Sequence, residues 1–389
     1  MAFHDIIALM DDYIGRNDKV DEQRDGQLSR MVVKGFKSIK ECDLELKNIN
    51  VLIGSNGAGK SNFVSVFEML QKIMIGELSI YAEKKGINAL LYNGKKVTDS
   101  ILVEIHSGST AYSFELECTE NDSLLFREER IGTNSGASRH SGHRESILSY
   151  ALYVDVIKGL ANLMKESTER FLINPPWRIF QFHDTSQSSR IKSEHNISNC
   201  NTLMQDASNL AAYLYRLREH YSLEYRKIVK AIQRIAPYFK DFELKPKELN
   251  DEQIVLRWTQ KDYDGILNPS QLSDGTLRFI CLATLLLQPA ELQPATIIID
   301  EPELGLHPYA ITIFAELVKK AATKKQVILA TQSVELLDHF EPEDIIVVDR
   351  GDNGSEFKRL DVEQLAAWLD DYSLGELWNK NIFGGRVSR

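Results

Sequence analysis

The chain has 389 residues, 43% of them hydrophobic and 26% charged, enough for a sizeable buried core and more than most single compact domains hold. Its formal net charge of −10 argues against a protein that coats nucleic acid by bulk attraction, while leaving a local basic face open. The four cysteines (Cys42, Cys118, Cys200 and Cys281) form no CxxC pair, so neither a zinc site nor a disulfide framework is expected, in keeping with a reducing compartment.

In chain order, residues 1–30 read as a short amphipathic helix followed by a polar tether. Their apolar run is too short and too acidic for a signal peptide. No later stretch approaches the roughly 20 apolar residues that cross a bilayer, so a cytoplasmic protein without a membrane part is expected. Residues 31–130 turn to strands. MVVKGFKSI and DLELKNINVLIG come first, the latter ending in a glycine loop, and a helix follows. Strict alternation over Ile101, Val103 and Ile105, then Tyr112, Phe114, Leu116 and Cys118, predicts an antiparallel meander.

Residues 131–240 open on a Ser/Gly/His-rich stretch expected to be a mobile loop. Helices are predicted over 147–168 and 203–236, with the strand-like WRIFQFHD between them. In the second helix Leu210, Leu214, Leu217, Tyr221, Ile228 and Ile232 share one face. Arg216, Lys227, Lys230 and Arg234 share roughly the opposite one, a candidate contact for DNA or a partner or, more plainly, a solvated face. Residues 241–389 return to strands and then alternate strand and helix. No heptad run long enough for a coiled-coil arm is present.

Gly54-Ser55-Asn56-Gly57-Ala58-Gly59-Lys60-Ser61 matches the phosphate loop GxxxxGK[ST], in the strand–loop–helix setting that motif requires. Backbone N–H groups from Asn56 through Asn62 would face phosphates, Lys60 would bridge the β- and γ-phosphates, and Ser61 would bind Mg²⁺. Thr296-Ile297-Ile298-Ile299-Asp300-Glu301-Pro302 is an apolar strand running into two carboxylates. Asp300 would serve the Mg²⁺ and Glu301 would act as general base on the attacking water. The long separation between Lys60 and Asp300 points away from small kinases and GTPases.

Before that strand lies Gln271-Leu272-Ser273-Asp274-Gly275-Thr276-Leu277-Arg278, which resembles the ABC signature in the SDGT-like form of RecF-like ATPases. Glu303-Leu304-Gly305-Leu306-His307-Pro308 falls where that family has its D-loop, and Ile328 to Ser333 falls where it has its switch histidine. The resemblance spans residue 31 to about 350. It implies an α/β fold: an ABC-type P-loop ATPase head, a mixed sheet with an antiparallel β meander plus a RecA-like lobe, carrying a helical insertion (arm or lid). It also implies two subunits facing head to tail, with Ser273, Asp274 and Gly275 of one reaching the ATP of the other. Two positions depart from the family. His307 stands at the D-loop aspartate, read either as a nucleotide-side residue or as a helix start before Pro308. Gln332 replaces the switch histidine and can hydrogen-bond without carrying charge, so slow hydrolysis is expected.

Gln181 and Gln187 are the Q-loop candidates. Lys37 matches a basic residue that reaches the nucleotide in related ATPases, or else is a solvated strand-end lysine. The long insertion, DEPELGLHP and the string YSLGELWNKNIFGG resemble the RecF/OLD-like branch, notably stand-alone ATPases of bacterial anti-phage defence operons that are paired with a separate effector. Asp349-Arg350-Gly351-Asp352 lacks the DxD spacing of a TOPRIM nuclease site. The expected function is therefore ATP binding and hydrolysis by a homodimer that controls a separate nuclease-like effector. A RecF-like repair ATPase that clamps duplex DNA is the alternative, and a transporter ATPase fits poorly.

Overall fold

The computed structural model describes residues 26–108, 110–133, 136–151, 176–247 and 250–385. The helix expected near the start, and most of the one expected over 147–168, lie outside these residues.

Two six-stranded sheets form the frame. The first takes β1 (Arg30–Phe36), β2 (Ile39–Glu45), β4 (Ser100–Ser107), β5 (Thr110–Cys118), β6 (Leu124–Thr133) and β7 (Gly136–His140), ordered β2-β1-β4-β5-β6-β7 and antiparallel throughout. The expected alternation is present, with Ile101, Val103, Ile105, Tyr112, Phe114 and Leu116 buried and the residues between them half-exposed. The stretch read as a mobile loop instead supplies β7, which pairs with β6 from Glu129 to Thr133. Its small polar residues are compatible with an edge strand, which needs a partner on one side only.

The second sheet is ordered β17-β16-β3-β15-β14-β8, from β3 (Ile49–Ile53), β8 (Trp177–Phe180), β14 (Thr296–Asp300), β15 (Gln326–Thr331), β16 (Ile345–Gly351) and β17 (Gly354–Arg359). All its pairings are parallel except β16 with β17. Its strands are continuous apolar runs because both faces are covered. Val51, Ile53, Ile297, Ile299, Val327 and Leu329 point into one core, while Leu52, Ile298, Ile328, Ala330, Ile346 and Val348 point into the other.

The second of these cores holds α1 (Lys60–Met74), whose Phe63, Val66, Phe67, Leu70 and Ile73 are buried in the same cluster as the first sheet's inward residues. Short helices α2 (Leu78–Lys85), α3 (Ile87–Leu90) and α4 (Ile147–Ala151) flank it. The start of α4 is tied down by Glu129, a buried carboxylate that accepts from Tyr112 Oη at 2.8 Å, His143 Nε2 at 2.7 Å and the Ile147 amide at 3.0 Å.

On the opposite face of the parallel sheet lie α5 (Leu210–His220), α6 (Ser222–Ile235), α7 (Asp274–Leu287) and α8 (Pro308–Ala322). The single helix expected over 203–236 is thus two. It begins only after Asn209, whose side chain accepts from the Met204 amide and donates to Asn199 O and Thr202 O, knotting the preceding loop. It breaks at Tyr221, at φ −136° and ψ 54°. The apolar face nevertheless packs as expected, with Leu210, Leu214, Leu217, Ile228 and Ile232 all buried in the core shared with α7 and α8.

Small pairings between β9 (His195–Asn196) and β11 (Gln253–Ile254), and among β10 (Phe239–Phe242), β12 (Trp258–Gln260) and β13 (Ile266–Leu267), line the edge of this lobe. Helices α9 (Val334–Leu337), α10 (Val362–Leu369) and α11 (Leu374–Asn379) close the chain. Among the described residues no helix is long and apolar enough to cross a membrane.

Candidate nucleotide site

The glycine loop connects β3 to α1, and almost every turn of it is held from outside. Ser355 Oγ, from β17, donates to Ala58 O at 2.5 Å and shares a 2.7 Å hydrogen bond with Ser38 Oγ. Asn62 Nδ2 donates to the same Ser38 hydroxyl at 2.7 Å. Asn56 and Gly57 form the exposed crest, whereas Ala58 and Gly59 are buried. The N-terminus of α1 has Gly59 as its cap, so no side chain occupies its first amides, and no acidic residue lies in its first turn. Free amides, the positive end of the helix dipole and an adjacent lysine together make an anion site. Lys60 is 5% exposed and its ammonium donates to Gly54 O at 2.7 Å and Ser55 O at 3.1 Å. Burial lowers the Lys60 pKa, opposed by the nearby carboxylates of Glu301, Asp300 and Glu303.

A cleft of ≈720 Å³ opens beside the loop, lined among others by Lys37, Ser61, Asn62, Gln181 and Asp300. Lys37 points inward, donating to Ser65 Oγ at 2.8 Å, so the solvated strand-end reading does not hold. Its pKa is lowered by burial first and by Lys85 second. Asp300 ends β14, buried, with its carboxyl pKa raised by desolvation and then by Glu301. One oxygen, Oδ2, meets Gln181 Nε2 at 3.4 Å, while Oδ1 is buried with no hydrogen-bond partner among the described residues. A buried carboxylate oxygen left unsatisfied, in a cleft that Ser61 also lines, fits a hard divalent cation that takes oxygen ligands. Ser61 and Asp300 could thus supply oxygen donors to Mg²⁺. Of the two Q-loop candidates, Gln181 reaches Asp300, whereas Gln187 is exposed on the loop beyond.

Glu301 follows with φ 46°, a strained value for a residue with a side chain. Its amide donates to Ala330 O at 2.7 Å, and its Oε1 accepts from Gln332 Nε2 at 2.5 Å. The two residues expected to act on water are thus in direct contact. Glu303 was not anticipated here. Its Oε1 accepts from the Gln332 amide at 3.0 Å, and its Oε2 is buried without a partner among the described residues. The sequence placed Glu303 only within the D-loop string.

The signature lies elsewhere. Ser273 caps α7, accepting from the Thr276 amide at 3.1 Å, and Ser273 and Asp274 are exposed. At Gly275 a Cβ would sit 2.4 Å from Gly305 O, so the backbones of signature and D-loop touch and only glycine fits. None of these residues lines the cleft beside the glycine loop. His307 caps α8, its Nδ1 accepting from the Tyr309 amide at 3.3 Å, and is exposed outside that cleft. Between the two readings of His307, the geometry is that of the helix start.

Arg278 joins these parts and was missed as a functional candidate. It is 5% exposed, and its guanidinium donates to Phe182 O at 2.8 Å, His183 O at 3.0 Å and Leu304 O. His183 in turn donates through Nε2 to Asp300 O at 3.0 Å. A lone arginine at the head of the apolar run FICLATLLL was the available signal, since a buried charge needs partners.

The C-terminal string also meets the site. Gly385 O accepts from the Ser55 amide at 3.0 Å, and the Gly385 amide donates to Asp349 Oδ2 at 3.1 Å. Gly385 has φ 86°, and a Cβ there would lie 2.6 Å from the Trp378 ring. Gly385→Val is expected to unseat this turn and weaken ATP binding by about tenfold, roughly 1.4 kcal/mol, from one lost hydrogen bond and a loosened loop. Titration with a fluorescent ATP analogue checks it, and unchanged affinity would detach the turn from the site.

Three residues of the basic face have partners, while Lys227, Lys230 and Arg234 stay exposed. Arg216 donates to Cys200 O and Asn201 O, Lys227 pairs with Glu224 at 3.1 Å, and Arg234 pairs with Glu316 at 2.8 Å. The break at Tyr221 also divides Arg216 from the other three, so the four do not form one stripe.

A glycine loop at the end of a parallel strand, an acidic pair ending the next strand but one in the sheet, and a separate signature helix define the head of an ABC-type ATPase. The model of the family described as "AAA domain, putative AbiEii toxin, Type IV TA system" matches residues 49–338, and the chain belongs to that family. It is 23% identical over 361 residues to the Old nuclease of Escherichia phage P2, covering 85% of this chain and 60% of that protein. The chain thus spans about three fifths of the length of that relative. Among solved structures, an SMC head bound to the C-winged helix domain of ScpA matches with a TM-score of 0.53, covering 87% of this chain and 99% of that one at 16% identity. An SMC head with an extended coiled coil, bound to the C-terminal domain of ScpA derived from Pyrococcus furiosus, gives 0.50 over 88% and 98% at 16% identity. At such identities the likeness is one of fold.

Proposed function

We propose that this chain binds and slowly hydrolyses ATP between two head-to-tail copies, and that the closed dimer controls a separate toxic, nuclease-like effector in anti-phage defence. The observation that carries the dimer is the placement of the signature. Ser273 and Asp274 are exposed at the start of α7 and do not line the cleft beside their own glycine loop, which supports their serving a nucleotide held by another copy. The flanking D-loop residues Leu304 and Tyr309, 47% and 50% exposed, are large apolar groups that such a contact would cover.

In this reading the amides from Asn56 to Asn62, with Lys60 and Lys37, hold the phosphates. Ser61 and Asp300 would hold Mg²⁺, which neutralises phosphate charge when bound. Glu301 takes the proton from the attacking water, and Gln332 orients Glu301 through the hydrogen bond between them. Gln181 and His183 keep Asp300 in place. Glutamine at 332 holds no charge to offset the charge developing on the phosphate, which supports slow turnover.

The defence role is supported by the family's description, which names a toxin of a toxin–antitoxin system, and by the relative, a nuclease of a phage. The test is to purify the Glu301→Gln protein with its neighbouring genes expressed and identify what co-purifies with and without ATP. A stoichiometric partner held in a nucleotide-dependent way supports the reading. A dimer without partner that grips duplex DNA only with ATP would replace it by a RecF-like repair clamp.

A further inference from the structure

Asp274 occupies the first helical position of α7, inside the signature. An acid there suits the positive end of a helix dipole. It is a poor neighbour for a phosphate, however, because two anions a few ångströms apart at a protein surface repel strongly. The structure holds an answer to that conflict in a residue no motif identifies. Lys192 ends the turn Arg190–Lys192, and its side chain is only 7% exposed while that of Asp274 is 66% exposed. The Lys192 ammonium lies 3.6 Å from Asp274 Oδ1 and donates to Thr185 O at 2.5 Å. The turn that delivers it is built for the purpose. Ser189 caps it and donates to Asp184 O at 2.6 Å, and Ile191 anchors it in the core. One ammonium has three donors, and with one given to the Thr185 carbonyl its charge still falls on the Asp274 carboxylate.

We infer that Lys192 is the charge-compensating residue of the signature. It neutralises Asp274, so that the helix start, the Ser273 hydroxyl and the Gly275 amide present an anion-accepting face to the phosphate held by a second copy. This rests on the head-to-tail reading above. Lys192 is a positioning residue in the sense that it acts through Asp274, and it belongs to the half of the site that lies across the interface from the glycine loop it serves.

The test uses the full chain carrying Glu301→Gln, with Mg-ATP, and follows self-association by analytical ultracentrifugation. ATP affinity of the dilute subunit is measured separately with a fluorescent ATP analogue. Lys192→Met keeps the apolar stem and removes the charge. It is expected to weaken ATP-dependent dimerisation by about tenfold or more, while subunit affinity for the analogue changes by less than about twofold, because the glycine loop is untouched. Adding Asp274→Asn to Lys192→Met is expected to restore dimerisation to within about threefold of the Glu301→Gln protein, since the unbalanced carboxylate is gone. A residue that merely clamps the loop to Thr185 would give no such rescue. Unchanged dimerisation in Lys192→Met, or a loss that Asp274→Asn does not repair, overturns the inference. Absence of any ATP-dependent dimer in the Glu301→Gln protein itself overturns the head-to-tail reading and this inference with it.

Discussion

Glu301→Gln is expected to lower phosphate release by about 10²–10⁴-fold while leaving ATP affinity within a few fold of the parent. The substitution is nearly isosteric at a position where the surroundings are tight. Glu301 has φ 46°, held by its amide bond to Ala330 O, and neither feature depends on the side-chain charge. A glutamine can turn its carbonyl oxygen toward Gln332 Nε2 and keep that hydrogen bond, so the geometry survives. What it cannot do is accept a proton from water. Binding groups and basic group are therefore separable, because Lys60 and the loop amides belong to the start of α1 whereas Glu301 follows the end of β14. Since the proposed dimer is held by the ATP between its copies, a variant that keeps its ATP should also accumulate as a dimer. Phosphate release and light scattering with and without ATP measure both effects. Parental turnover in this variant would remove Glu301 as the base, and Glu303, with one oxygen buried and unsatisfied next to Gln332, would become the group to test.

The parts of the site that could be read from the sequence are those whose chemistry is local in the chain. The glycine loop and the strand ending in Asp300 and Glu301 announce themselves because strand, turn and helix are consecutive, and burial on both faces makes the strand apolar throughout. The meander was legible for the same reason, as one-residue alternation survives whatever lies across the sheet. The misses share a different cause. Tyr221 carries no glycine or proline to mark the break between α5 and α6, and the knot around Asn209 draws on residues of a loop with no periodicity. The strand at 136–140 has a composition that reads as loop, yet pairing with β6 decides its state. Arg278 and Gly385 matter through contacts with Leu304 and Ser55, distant along the chain, and no motif records such partners, whereas Gln181 was one of two Q-loop candidates and its bond to Asp300 decides between them. Lys37 could be suspected from its likeness to related ATPases, but only its bond to Ser65 shows which way it points.

Lys60→Ala is expected to abolish ATP binding at working concentrations, a loss of at least about 100-fold, or roughly 3 kcal/mol, for one buried charge-assisted contact with phosphate. The lysine is positioned for that task at some cost. Its ammonium is almost fully buried, which lowers its pKa, and three carboxylates compensate for it. Removing it also changes the charge balance of the protein without nucleotide. Asp300 already has a pKa raised above its ordinary 3.8 by burial and by Glu301, with His183 and Lys60 pulling the other way. Without Lys60 that raised pKa moves higher. A carboxyl that binds its proton more tightly in the folded than in the unfolded state loses stability as pH rises from 3.8 through its folded pKa. Lys60→Ala therefore extends that window upward. Its melting temperature should match the parent in mildly acidic buffer and fall below it as neutrality is approached. Thermal melts across pH, alongside nucleotide titration, separate the two effects. A deficit equal at every pH would mean that the lysine supports the loop by packing and its bonds to Gly54 and Ser55, rather than by balancing the acids beneath it.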